Sequence, residues 1–332
     1  MPMLTKHITI DARNGIGRQC ARIAAALAFM ASIFGAIDDA WAVDRTLRHE
    51  DWVYCVAFSA NGKLLASSSA EEAVYLWDMT SGKKSRTIKP GDTVYSLAFS
   101  PDGSRLAGAR YDNLVSIWDV ASGREAMVLK GHTSLVLSIA SNADGSQLAS
   151  ASDDSTIKIW DATSGKEVRT LAGHKEKVTC VAYGLKKLAS ASWDKTVRVW
   201  DVSTGKELHV LQGHTSPVFA VAFSADGKRV ASAAYDESIK LWDAETGKEI
   251  MSLQGHMGAV NTVAFSKDGN RLFSGSNDHT AKLWDALSGK ELKTFSGHER
   301  AVKCVAINSD GSQLATASED RTARLWTVKE ND

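Results

Sequence analysis

Short apolar runs alternate with turn-forming clusters along most of this chain. One unit shows the pattern well. Residues 218–224 form an apolar run of strand length, and Ala225-Asp226-Gly227-Lys228 follows. Asp-Gly between two apolar runs is a hairpin signal, with both central residues expected at positive φ. Residues 229–233 read as a second strand, and Tyr235-Asp236-Glu237 as a turn. Residues 238–242 alternate and read as a third strand. Thr246-Gly247-Lys248 turns the chain again, residues 249–253 make a fourth strand, and the next unit opens at Gly255-His256.

The same turns recur. Asn61-Gly62, Asp102-Gly103, Asp144-Gly145, Asp268-Gly269 and Asp310-Gly311 repeat the first turn. Gly82, Gly123, Gly165, Gly205 and Gly289 repeat the third. Each third strand ends in Trp-Asp, at Trp77, Trp118, Trp160, Trp200, Trp242 and Trp284, while Trp326 is followed by Thr327. The tryptophans are 41, 42, 40, 42, 42 and 42 residues apart. The short spacing of 40 falls where Tyr183-Gly184-Leu185-Lys186 replaces the longer first turn. A period of about 40–45 residues ending in Trp-Asp marks a propeller blade. Four short antiparallel strands fill one blade. The expected fold is all-β: a seven-bladed β-propeller of four-stranded antiparallel blades over residues 43–332.

Residues 1–42 stand outside the repeat. Lys6, Arg13, Arg18 and Arg22 precede an apolar run over 23–37, and Ala40-Trp41-Ala42 follows. That order reads as a secretory signal peptide cut after Ala42, leaving an exported chain with no membrane attachment. An uncleaved anchor, or a cytoplasmic protein with its N-terminus intact, is the alternative. The whole chain balances 39 basic against 39 acidic residues, so charge alone demands neither nucleic acid nor a lipid surface. Cys55, Cys180 and Cys304 share one slot, Val-x-Cys-Val-Ala, which holds Ser96, Ser138, Ala220 and Thr262 elsewhere. A slot of small residues in a packed strand reads as core. Cys55 and Cys304 fall in the first and last repeats, which ring closure makes neighbours.

With these residues laid out, the chain resembles the WD-repeat β-propeller family over about residues 43–328. The resemblance implies that each blade is tied by a hydrogen-bonded tetrad of His, Ser or Thr, Asp and Trp. The matching sets are His132, Ser150, Asp154 and Trp160; His174, Ser190, Asp194 and Trp200; and His214, Ser232, Asp236 and Trp242. The last two are His256, Ser274, Asp278 and Trp284, and His298, Thr316, Asp320 and Trp326. The first repeat offers His49, Ser67 and Glu71, and the second has Pro90, Gly108 and Asp112. With two members missing, the second blade is expected to be held least well. Recurrence in every blade marks a folding role, because an active site needs only one copy. Only six residues follow Trp326, so residues 43–47 are expected to complete the seventh sheet, as in the family.

No nucleophile elbow, phosphate loop or zinc helix is present in the sequence. No enzymatic role, metal or cofactor is expected, and no nucleic-acid partner. The family resemblance turns two slots toward one channel entrance. They hold Tyr54, Tyr95, Leu137, Thr179, Phe219, Asn261 and Lys303, then Ala70, Tyr111, Asp153, Trp193, Tyr235, Asn277 and Glu319, with Trp52 beside the first set. Six of these fourteen are aromatic against 8% of the chain, which points to a binding face. The expectation is a monomeric scaffold holding a protein or peptide through Trp52, Tyr54, Tyr95, Tyr111, Trp193, Phe219 and Tyr235. Two rivals remain. The rings could fill space between blades, or the central channel could serve a small ligand or an enzyme.

Overall fold

The computed structural model describes residues 45–329, and all of its regular structure is β-strand. The 28 strands make seven four-stranded antiparallel sheets. Blade 1 runs Val53–Phe58, Leu64–Ser69, Ala73–Asp78 and Lys84–Ile88, and blades 2 to 6 repeat that order. Blade 7 takes Val302–Ile307, Gln313–Ser318 and Thr322–Thr327, with Arg45–Arg48 as its outer strand. There Arg45 lies opposite Leu325, and Arg48 opposite Thr322. Residues 43 and 44 of the expected closing segment, and the whole expected signal segment over 1–42, lie outside the described residues.

The first strand of each blade packs on the first strand of the next, and Val53–Phe58 packs on Val302–Ile307 to complete the circle. The core therefore lies between blades. Val197, Val199 and Leu211 of blade 4 pack with Val218, Val221 and Trp242 of blade 5, all nearly inaccessible to solvent. Burying an aliphatic side chain of this kind contributes roughly 1.5–3 kcal/mol before chain entropy is subtracted. Polar side chains also bridge blades along the inner wall. Ser138 Oγ accepts from Val181 N at 3.2 Å, and Thr262 Oγ1 accepts from Val305 N at 3.3 Å.

The first turn departs from the expected geometry. Only its glycine takes positive φ: Gly227 stands at 68°, and Asp226 stays on the ordinary side. Gly227 N donates to Ser224 O at 2.8 Å, while the Asp226 carboxylate accepts from Ser224 Oγ and Lys228 N. The acid is there as a turn acceptor rather than as a left-handed residue, which leaves the positive φ to glycine alone. In blade 4 the tighter Gly184 N to Lys187 O bond, 2.8 Å, closes the shortened turn.

Candidate partner-binding face

Two turns of every blade lie at one end of the ring: the entry to the first strand and the turn between the second and third. A backbone bond joins them in each blade. Ala70 N donates to Trp52 O, Tyr111 N to Thr93 O, and Trp193 N to Lys177 O. Tyr235 N donates to Pro217 O, and Asn277 N to Ala259 O. These bonds place the two candidate slots side by side.

The second turn is anchored from below by the tetrad. In blade 3 His132 Nδ1 lies 2.8 Å from Asp154 Oδ2, and His132 Nε2 lies 2.7 Å from Ser150 Oγ. Ser150 Oγ also accepts from Trp160 Nε1 at 2.8 Å. One histidine tautomer, protonated at Nδ1, satisfies the whole chain of bonds. Blade 4 repeats the set at 2.8, 2.8 and 2.9 Å, and blade 6 at 2.7, 2.7 and 2.8 Å. His214, Ser232, Asp236 and Trp242 in blade 5, and His298, Thr316, Asp320 and Trp326 in blade 7, are joined in the same way.

Each acid does more than hold its histidine. Asp154 accepts from Thr133 N, Thr156 N and Thr156 Oγ1, so it pins the strand entry to the turn. Burial raises its carboxyl, but the bonds from His132, Thr156 and Thr133 outweigh burial and hold it below the usual carboxylate range. Asp194, Asp278 and Asp320 behave alike. A Ser-His-Asp chain could in principle activate a nucleophile, but the hydroxyl residues of blades 3 to 7 are 0% exposed. Each hydroxyl also already accepts from its tryptophan, so no substrate reaches it.

Blades 1 and 2 depart from this plan. His49 keeps Ser67 at 2.8 Å, but its Nδ1 faces Leu47 O at 3.3 Å rather than Glu71. Glu71 instead accepts from Ser69 Oγ and Glu50 N. Burial pushes the His49 imidazole down to about 4. Lys84 covers the face of Tyr75, its Nζ 3.3 Å from the ring centroid.

In blade 2, which lacks the His and the Ser or Thr of the tetrad, Asp112 has a different partner. Arg110, only 8% exposed, donates from Nε to Asp112 Oδ1 at 3.0 Å and pairs again through Nη2 with Oδ2. Its Nη1 reaches Ser116 Oγ at 2.9 Å, and Ser116 Oγ donates to Glu125 at 2.6 Å. The Trp118 indole occupies the room that a side chain at Gly108 would need. Sequence reasoning missed Arg110, although two columns carry the signal. Arg110 stands where Ser152 and Ser192 stand in other blades, and Ser116 stands where Lys158 and Arg198 pair with a glutamate. The cation has changed places.

On the face itself Trp52, Tyr111, Trp193 and Tyr235 are exposed, by between 39% and 59%, while Tyr54, Tyr95 and Phe219 are half-buried. They form two groups. Tyr54 and Tyr95 meet edge to face with centroids 5.2 Å apart, and Tyr95 lies 6.2 Å from Tyr111. Phe219 and Tyr235 meet at 6.1 Å in blade 5, and Trp193 in blade 4 carries Lys177 Nζ 3.5 Å over its ring. Blade 3, with Leu137 and Asp153, separates the groups. Burial first, then Asp51 and Glu319, raise the Tyr54 phenol, and burial leads for Tyr95.

The polar slots are used as braces. Asn261 Nδ2 donates to Val302 O at 2.9 Å, Thr179 Oγ1 donates to Val218 O at 2.7 Å, and Lys303 pairs with Glu319 at 3.5 Å. A further exposed apolar residue on this end, Met257 at 88%, also escaped the sequence reading. It is the one apolar side chain in a slot that holds Thr133, Lys175, Thr215 and Glu299.

The opposite end has a cavity of about 380 Å³ between blades 2 and 3, lined by Pro101, Asp102, Arg105, Asp144 and Thr163 among others. Its polar groups are spent on local bonds: Asp102 accepts from Ser100 and Ser104, and Arg105 donates to Ala162 O. Among the described residues no helix is long and apolar enough to cross a membrane. Among them, too, no group of three or more His, Cys, Asp or Glu is placed to hold a metal ion.

Comparison with known proteins adds a family model described as "WD domain, G-beta repeat". It matches seven times, at residues 42–78, 82–119, 123–161, 165–201, 205–243, 247–285 and 289–327. Among curated proteins the chain is similar to "WD repeat and SOCS box-containing protein 1" of Xenopus tropicalis, 55% identical over 31 residues. That stretch covers 9% of this chain and 7% of the relative, far less than two thirds of its length.

Proposed function

Because this chain belongs to the WD40-repeat family, we propose that it is an exported, non-enzymatic scaffold that holds a protein or peptide on the aromatic end of its propeller. WD40 propellers are typically protein-interaction scaffolds and usually not enzymes. The observation that carries the reading for this chain is the exposure of Trp52, Tyr111, Trp193 and Tyr235 at one end of four rigid blades. Core packing would bury such rings. Aromatic side chains held at strand ends lose little freedom on contact, and Tyr and Trp are common anchors of interfaces. The polar side of the same end, Asn261, Asn277, Lys303 and Glu319, suits an asymmetric partner. Export rests on the basic, apolar and Ala-x-Ala order of residues 1–42.

The test uses the protein from Val43 onward as bait in periplasmic extract and culture medium, beside the same bait carrying Trp193→Ala and Tyr235→Ala. A partner retained by the first and lost by the second supports this face. Equal capture by both baits overturns it.

A further inference from the structure

The inner wall of the ring takes one small side chain from the first strand of each blade. The slot is chemically permissive, since Ala220 and Ser96 fill it as readily as cysteine does. Going round the ring, one junction alone places a thiol against a thiol. It is the junction where the first blade meets the last, and there Cys304 Sγ lies 3.7 Å from Cys55 Sγ. All three cysteines among the described residues are free thiols. Cys180 occupies the same slot in blade 4, but its neighbours are Ser138 Oγ and Val221 O.

We propose that Cys55 and Cys304 are a disulfide-forming pair that bolts blade 1 to blade 7, closed by thiol–disulfide exchange with an external small-molecule disulfide. The sulfurs must approach by about 1.7 Å to reach bonding distance. The two strands that carry them are already packed on each other. Cys304 is the attacking group: it is half-buried, whereas Cys55 is 7% exposed. The Cys55 thiol beside it also holds Cys304 below its ordinary range. The Cys304 thiolate attacks one sulfur of the external disulfide, forming a mixed disulfide and releasing one thiolate. The Cys55 thiolate then attacks the Cys304 sulfur and expels the second. The two protein thiols lose two protons and two electrons, and the external disulfide is reduced to two thiols. The bond spans 249 residues of chain and ties the inner strand of blade 7 to blade 1, next to the blade where the two ends of the ring pair as Arg45–Arg48 with Thr322–Thr327. Neither the partner reading nor export is needed for it.

The experiment takes the full chain, reduced, into a buffer of oxidised and reduced glutathione, and traps free thiols by alkylation before peptide mapping. The expected product has lost two hydrogens and yields a Cys55–Cys304 linked peptide, with Cys20 and Cys180 alkylated. Its denaturant midpoint rises and returns when a dithiol is added. Cys55→Ser and Cys304→Ser, which the slot tolerates, show no such rise. Four outcomes overturn the proposal: a bond involving Cys180 or Cys20, arrest at the Cys304–glutathione mixed disulfide, all four thiols still open to alkylation, or the same rise in the serine variants.

Discussion

Arg110 holds the carboxylate of Asp112 through two nitrogens, at the place where five other blades hold that acid with a histidine. The blade with the most altered repeat is thus tied by a different cation rather than left open. Asp112→Ala strands a buried guanidinium with only Ser116 and Glu125 for company. The expected loss is about 1–3 kcal/mol, similar to Asp194→Ala, because either change leaves a buried donor without its acceptor. Urea unfolding of the two variants decides it. A loss below about 0.5 kcal/mol for Asp112→Ala, the level of an ordinary surface change, would count against the Arg110 network.

Acid should weaken the ring in two stages. Burial depresses His49 to about 4 and also lowers His214 and His298, so the unfolded chain takes up these protons before the native one does. Their stabilisation is full above the ordinary histidine value of about 6.5 and falls as pH drops below it. His49 alone accounts for about 3 kcal/mol at most, complete near pH 4. Asp154, Asp194, Asp278 and Asp320 are depressed as well, so their contribution declines only below about pH 4. Denaturant midpoints measured from pH 7 to pH 3 should show both slopes. His49→Gln should flatten the first slope, and an unchanged slope would contradict the assignment.

Removal of residues 43–48 takes away the outer strand of blade 7 and leaves Thr322–Thr327 as a bare edge. Unpaired edges recruit other chains. Calorimetry should show a broadened, weakened transition, and light scattering should show association. A shortened protein that melts as one sharp unit at the original temperature would mean that Arg45–Arg48 contributes little to closure.

On the binding end, exposure separates two kinds of ring. Tyr235→Ala and Trp193→Ala should leave the melting temperature nearly unchanged and weaken partner capture at least tenfold, about 1.4 kcal/mol. Tyr54→Ala removes a half-buried ring that meets Tyr95 across two blades, so it should cost both stability and capture. If Tyr235→Ala unfolds the protein while the folded remainder binds normally, the rings are packing residues.

The export proposal predicts that native protein begins at Val43. Intact mass of material purified from its source checks this directly. Met1 or Pro2 at the front of the soluble protein would refute it.

The blades and their number were legible because each column of the repeat is sampled up to seven times, so Trp200 or Asp194 is read against its equivalents. Single-blade exceptions had no such support. Arg110 and Ser116 become intelligible only when two columns are read together, since each alone looks like a lapse. Glu71 sits in the acid column yet bonds elsewhere, because Leu47 O occupies His49 Nδ1. Turn type was overread from Asp-Gly, since the sequence does not say whether the acid turns left-handed or serves as an acceptor. Exposure was not legible either. Tyr95 and Tyr111 are the same residue in neighbouring slots, but the strand residue is half-covered by Tyr54 while the turn residue stands clear.

The pairing of Arg45 with Leu325 also sets an order of events. Blades 1 to 6 are each built from a continuous stretch, so each can form as soon as its own segment is available. The strand Arg45–Arg48 is made first and used last, and must wait for a partner 280 residues downstream. Contacts so distant in sequence are slow to form. Until the last blade arrives, the nascent chain is an open arc with two sticky edges, and whatever keeps those edges apart during synthesis governs the yield of finished rings.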